Sequence, residues 1–183
     1  MNTPDRIAVI GPSGSGKTTL GRWIEREQGL PFVDLDDLHW RPGWTEAPLT
    51  AFRTAVALST QRPRWVVVGN YAKVRDLVWP RAQLVVWLDL PLLTVLGRTT
   101  SRGLRQWWTR EPICNGNRQT LRYIFLGGEA LLPYTLRTCH ARRREWPALL
   151  ASHQHLTVHR LRNNSQVAQW QRNARRWVGA DAA

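Results

Sequence analysis

The chain has 183 residues, 43% of them hydrophobic, and a formal net charge of +13. That length suits one domain, 1–183, large enough to bury about 70% of the surface its unfolded chain exposes. No apolar run approaches the roughly 20 residues of a membrane-spanning helix, no leader-like start is visible, and Cys114 and Cys139 lack metal-type spacing, so the expectation is a reduced, cytoplasmic protein with no membrane partner.

In chain order, the first element is a β-branched strand, Arg6–Ile10, followed by Gly11-Pro-Ser-Gly-Ser-Gly-Lys17-Thr18. This is a complete G-x-x-x-x-G-K-[ST] phosphate-binding loop. Gly11, Gly14 and Gly16 let the backbone turn its N–H groups inward around an anion, with Ser13, Ser15 and Thr19 in the same stretch. Lys17 reaches the β- and γ-phosphates and the Thr18 hydroxyl suits Mg²⁺. A helix over Thr19–Gln28, closed by Gly29, leads out and points its positive end at the anion. Strand, loop and helix together predict a site for the phosphates of a nucleotide and Mg²⁺.

The second strand, Phe32–Asp36, ends in Asp34-Leu-Asp36-Asp37, and alternation puts Asp34 and Asp36 on one strand face. In a parallel sheet ligands collect at the carboxyl ends of strands. Asp36 is therefore a candidate base or acceptor-orienting group and Asp34 its metal-side helper, although an aspartate also suits a turn or helix cap there. The third strand, Trp65–Gly69, runs into Asn70 and Tyr71; Gly69 allows close approach of a substrate, and Asn70 and Tyr71 offer hydrogen bonds. A fourth strand is read over Leu84–Asp89 and a fifth over Leu156–Leu161. Short apolar strands alternating with helices imply a largely parallel sheet covered on both faces.

After Pro91 a helix carries Arg98 and Arg102, four apart and so on one face, where they could bracket a triphosphate; two solvated arginines is the alternative. Residues 103–118, with Gly103, Trp107, Trp108, Pro112 and Asn115-Gly-Asn117, look least regular and are read as a lid, with Arg118 at its end as a third phosphate or acceptor contact. A further helix spans Glu129–Leu150; its Arg142-Arg-Arg144 run is most simply a solvated face. Near the C-terminus Val167, Trp170, Ala174 and Trp177 recur at helical spacing, a face packed on the sheet. Charge is uneven. Residues 1–89 hold 11 Lys/Arg and 9 Asp/Glu, against 15 and 4 in residues 90–183, so the basic half could meet a polyphosphate or a nucleic acid.

The strings G-P-S-G-S-G-K-T-T-L at 11–20, L-P-F-V-D-L-D-D-L-H-W-R-P-G-W at 30–44, W-V-V-V-G-N-Y at 65–71, L-V-V-W-L-D-L-P at 84–91 and N-G-N-R at 115–118 resemble P-loop kinases of the adenylate and shikimate kinase group. Within that group the chain looks most like adenylate-kinase-like proteins labelled DNA topology modulation (FlaR-type) proteins. The resemblance implies a P-loop NTPase three-layer α/β/α fold, a five-stranded parallel sheet in order 2-3-1-4-5, and transfer of the γ-phosphate of Mg-ATP to a small molecule. It puts Arg98 against adenine, Arg102 against the phosphates, and Asp34 and Asp36 at Mg²⁺ and the acceptor. The D-G-F-P-R string of adenylate kinases is absent, as is the Gly-Gly-Gly string of shikimate kinases, so the acceptor is left open. The alternative function is a nucleotide-binding regulator whose basic half contacts DNA, although no helix-turn-helix or zinc finger is recognisable.

Overall fold

Alternating apolar side chains decide the architecture. In β1 (Arg6–Ile10), Ile7 and Val9 belong to one buried cluster and Ala8 and Ile10 to another, so the strand must be covered on both faces. The computed structural model describes residues 3–125 and 131–180. It pairs β1 in parallel with β5 (Trp65–Val68) on one side and β6 (Leu84–Leu88) on the other. β2 (Phe32–Asp34) extends the sheet beyond β5, and β7 (Thr157–Leu161) extends it beyond β6. The order β2-β5-β1-β6-β7 is the expected 2-3-1-4-5 once sheet strands alone are counted.

One face is covered by α1 (Lys17–Gln28) and α8 (Asn164–Ala180), which press Leu20, Trp23, Ile24, Trp170 and Ala174 onto Ile7, Val9, Val66 and Val86. The other is covered by α3 (Leu49–Gln61), α4 (Arg75–Val78) and α7 (Leu131–Ala151), through Phe52, Val56, Val78, Trp146 and Leu150. The result is the three-layer α/β/α arrangement. The start of the predicted Glu129–Leu150 helix lies outside the described residues.

Three local expectations are corrected. The second strand stops at Asp34, and Leu35–His39 forms a short helix, α2, because the Asp34 carboxylate accepts the Asp36 N–H at 3.0 Å and caps it. Asp34 and Asp36 are thus a cap and a first-turn residue, not alternate positions on a strand. Second, much of the 103–118 stretch is helical: α5 (Leu92–Thr109) continues through Gly103 and both tryptophans and stops at Arg110, whose φ is +51°. Gly103 sustains the helix by admitting Ile124 from α6 (Leu121–Phe125); a Cβ there would stand 3.1 Å from the Ile124 Cδ1. The rest of the stretch is a turn closed by the Ile113–Asn117 bridge. It faces a two-stranded hairpin, β3 (Trp40–Arg41) and β4 (Thr45–Glu46). Third, the arginine run on α7 is not a solvated face: Arg144 is exposed, whereas Arg142 and Arg143 are half-buried.

Candidate active site

The phosphate loop lies where β1 hands over to α1. Gly14 and Gly16 are left-handed at φ +74° and +94°, conformations an L side chain resists. Gly14 also sits directly on α5, since a Cβ would run into Thr99 and stand 2.8 Å from the Val95 carbonyl. Thr99 Oγ1 donates to the Ser13 carbonyl at 3.2 Å and holds the loop there. The unpaired N–H end of α1 begins at Lys17 and faces the same space. Inside the loop the Ser15 hydroxyl is buried without a hydrogen-bond partner, an orphan donor in a cradle that suits anions. The Lys17 Nζ donates to the Pro12 carbonyl at 2.9 Å. Burial pushes this ammonium down to about 8, Arg142 and Arg102 push the same way, and Asp36 and Asp34 oppose them.

The acidic side of the site is built on the α2 N-terminus. One Asp34 oxygen caps the helix and the other accepts from Thr18 Oγ1 at 3.2 Å. Burial raises the Asp34 carboxyl to about 6, helped by the neighbouring Asp36 charge. Thr18 and Asp34 together supply two hard oxygen donors beside the phosphate loop, which fits Mg²⁺ held by one carboxylate, a hydroxyl and substrate phosphates. Asp36 Oδ1 accepts the Tyr71 O–H at 2.6 Å, leaving its second oxygen for an acceptor. Burial raises the Tyr71 phenol, and the Asp36 charge raises it further, so it stays a donor. Tyr71, expected as a substrate contact, is bonded to Asp36; its ring lies 4.5 Å from the buried His39 ring and 5.4 Å from Phe52.

Opposite the carboxylates a cleft of about 630 Å³ is lined by Gly14, Ser15, Gly16, Thr19, Arg98 and Arg102. Asn164, Ala168 and Gln171 of α8 form its far wall. Arg98 donates to the Asn164 side chain and Arg102 to the Ser13 hydroxyl, each at 3.0 Å. The two expected arginines thus flank one phosphate loop, Arg98 toward the outer wall and Arg102 toward the loop. Arg118 is not brought in with them: its side chain is exposed and its carbonyl accepts the Trp44 indole N–H at 3.1 Å.

Two other expected contacts have neighbours within the fold. The space beside Gly69 belongs to Leu35: a Cβ there would stand 2.8 Å from the Leu35 Cβ, so this glycine lets α2 approach β5. Asn70 bridges two parts of the site. With the side-chain amide assigned in the orientation that matches its neighbours, the nitrogen donates to the Gly11 carbonyl at 2.7 Å and the oxygen accepts from both ends of the Arg142 fork, at 2.9 and 3.1 Å. Arg142 is the functional candidate that sequence reading passed over. It also donates to the Tyr134 hydroxyl at 3.1 Å, stacks over Trp146, and acts electrostatically on Lys17. A signal was present. Three consecutive helical positions sweep about 200°, so on a helix packed against a sheet the ends of such a run come close to the packed face.

With this geometry in place, comparison with known proteins is specific. No family model matches the chain. A shikimate kinase from Halorhodospira halophila is 37% identical over 123 residues, which is 57% of this chain and 69% of the relative. This chain belongs to the shikimate kinase family of P-loop kinases. The fold agrees: a shikimate kinase from Acinetobacter baumannii in complex with shikimate superposes with a TM-score of 0.55 at 18% identity, covering 98% of this chain and 96% of that one. A gluconokinase from Sinorhizobium meliloti gives 0.55 at 20%, covering 98% and 94%. The protein is an ATP-dependent kinase of small-molecule type. No helix of the described residues is long and apolar enough to cross a membrane.

Proposed function

We propose that this kinase transfers the γ-phosphoryl group of Mg-ATP to a hydroxyl of a small polyhydroxylated carboxylic acid. The observation that carries the reading is the facing of two charge sets. The contact chain Thr18–Asp34, Asp34–Asp36 and Asp36–Tyr71 stands on one side, and the Lys17 and Arg142 cations on the other. Bound Mg²⁺ would supply charge neutralisation between the phosphates, held by Thr18 and Asp34. Lys17, mostly protonated at pH 7 with its value near 8, balances charge developing on the transferred group. Asp36 Oδ2 takes the proton of the acceptor hydroxyl as the acceptor oxygen bonds to the γ-phosphorus and the bond from that phosphorus to the β-phosphate oxygen breaks, releasing ADP, while Tyr71 fixes the carboxylate. Arg98 and Arg102 hold the nucleotide side. The acceptor's acid group is assigned to Arg142, whose fork is already oriented by Asn70. Support for the acceptor class comes from the relatives, named for shikimate and gluconate, both hydroxylated carboxylic acids.

The test is a panel of shikimate, D-gluconate, neutral polyols, nucleosides and nucleoside monophosphates with labelled ATP, comparing wild type with Asp36→Asn and Arg142→Ala. A phosphorylated acid formed by wild type, lost in Asp36→Asn and made with a strongly raised acceptor KM in Arg142→Ala, is expected. Phosphorylation of neutral polyols as efficiently as acids would overturn the acid-binding role of Arg142. The DNA-contacting alternative draws on the charge of residues 90–183. Several of those arginines are engaged within the fold: Arg143 and Arg160 with Asp89, and Arg175 with Glu27. Salt-dependent duplex binding without transfer to any small acceptor would favour it.

A further inference from the structure

The lid turn is not a free flap. Residues 113–118 are stitched to residues 37–44, more than 70 positions away in the chain, by two asparagine side chains and a tryptophan. Asn115 Nδ2 donates to the Asp37 carbonyl at 2.7 Å and to the Trp40 carbonyl at 2.6 Å. Asn117 Nδ2 donates to the Arg41 carbonyl at 2.9 Å and across its own turn to Cys114 at 2.6 Å, while its oxygen accepts the Trp44 N–H at 2.8 Å. The Trp44 indole adds the bond to the Arg118 carbonyl. The primary-amide groups of Asn115 and Asn117 thus direct their N–H donors at backbone carbonyls, a satisfaction that an aspartate of the same shape cannot reproduce. Asn117 is only 4% exposed, so its bonds are shielded from competing water. The backbone is bent to allow the contact: Trp44, Cys114 and Asn115 all have positive φ, at +56°, +33° and +61°.

The partner carbonyls matter more than their number. Asp37 lies in α2, and Trp40 follows its last residue; the same helix carries Asp36 and is capped by Asp34. A group seated on Asp36 therefore acts on the element to which the lid is tied. Burial pushes the thiol of Cys114, at the base of the turn, up to about 12, and the charges of Asp36, Asp37 and Asp34 add to it.

We infer that Asn115 and Asn117 are positioning residues that bind the lid turn to the acceptor-side helix and hairpin, so that the two move as one body and lid placement is conditional on the acceptor. The inference rests on the reading of Asp36 as the acceptor's base for its functional half, and on geometry alone for its mechanical half. Its use in a kinase is clear: a lid that settles only with the acceptor in place keeps water from taking the phosphoryl group.

Hydrogen exchange on the full chain tests the mechanical half with no ligand. In wild type, amides of 36–46 and 113–118 should open together, at one shared rate. In Asn115→Gly, which keeps the left-handed backbone and removes the donors, and in Asn115→Asp, exchange of 113–118 should rise at least tenfold while α1 is unchanged. Asn117→Ala should give the same uncoupling. Unaltered exchange in all three variants would overturn the clasp. The functional half is read by kinetics with shikimate and D-gluconate as acceptors. In Asn115→Asp the acceptor KM should rise at least fivefold with ATP KM held, and ATP hydrolysis without acceptor should increase relative to transfer; equal rises in both KM values would reduce the clasp to a structural tie. If wild type phosphorylates neither acid, the acceptor reading fails; coupled opening of the two segments, and its loss in the variants, still decides the clasp.

Discussion

Two charge clusters stand at the carboxyl ends of neighbouring strands of this sheet, and they are built on opposite plans. At the end of β6, Asp89 is 8% exposed and both its oxygens are taken. Arg143 Nε donates to one at 2.6 Å, and Arg160 donates to the other at 2.6 and 2.9 Å. Arg143 also reaches the Leu90 carbonyl, and Arg160 stacks on Trp87 at 4.1 Å. Every contact there ties α7 or β7 to β6. At the phosphate loop, by contrast, a carboxyl is driven up to about 6 and an ammonium down to about 8, while Ser15 is buried without a partner. The first cluster is satisfied and therefore architectural. The second is held in an environment that penalises its own charges, the usual condition of a site prepared for an external charged ligand.

The strongest way to test this contrast is to remove one member of each cluster. Lys17→Met should lower turnover by a hundredfold or more, roughly the loss seen when a single transition-state donor is removed. Its thermal midpoint at pH 7 should hold or rise; steady-state kinetics beside calorimetry checks both. Asp89→Ala should do the reverse. It strands two half-buried guanidinium groups and should cost about 2 kcal/mol, below the roughly 3–5 of a fully buried pair because both arginines keep contact with water. Denaturant titration reads the loss, and activity measured well below the midpoint should stay within a few-fold of wild type. A variant that unfolds no more easily would mean Asp89 is not the tie described.

Stability against pH sharpens the comparison. Asp34 has a folded value of about 6 against an ordinary 3.8, so its contribution is complete below pH 3.8 and is lost as pH rises through 6. Lys17 has a folded value of about 8 against 10.5, so its contribution is complete above pH 10.5 and is lost as pH falls through 8. Near pH 7 both groups oppose folding. Asp34→Asn should therefore raise the midpoint at pH 7 by a few degrees, and the gain should vanish below about pH 4. Mg²⁺-dependent binding of ATP, read by titration calorimetry, should weaken about tenfold per unit as pH falls below 6, since a protonated Asp34 offers no charge. The smallest effect is expected for Tyr71→Phe. Losing its bond to Asp36 should reduce kcat about five- to tenfold with ATP KM unchanged, a loss of about 1 kcal/mol, the size of one ordinary hydrogen bond. An altered ATP KM instead would place Tyr71 on the nucleotide side.

Much of this was legible before any coordinates, and the reason differs from residue to residue. The phosphate loop and its lysine are local: glycine spacing, strand and helix all act within a dozen residues. The arginine pair on α5 was readable because helical spacing alone puts Arg98 and Arg102 on one face. Asp34 and Asp36 were found for the right strand end but with the wrong backbone, because a cap forms through a hydrogen bond that alternation does not anticipate. The irregular stretch was read from 103 although the helix runs on to Thr109, because Gly103 reads as a breaker until Ile124 is seen to occupy the room it leaves.

By itself, then, the order of residues determined the parallel sheet and the anion loop, since these follow from short-range geometry and from which faces are apolar, and its motifs were enough to mark a P-loop kinase. Only the tertiary structure decided that Arg142 turns toward Lys17 while Arg144 faces water, that Gly69 serves Leu35, and that Asn115 and Asn117 bond the 113–118 turn to α2 and to the hairpin that follows it. Those outcomes depend on which distant segments fold against each other. A side chain's hydrogen-bond partner across 70 residues of chain is set by packing, which no local pattern encodes.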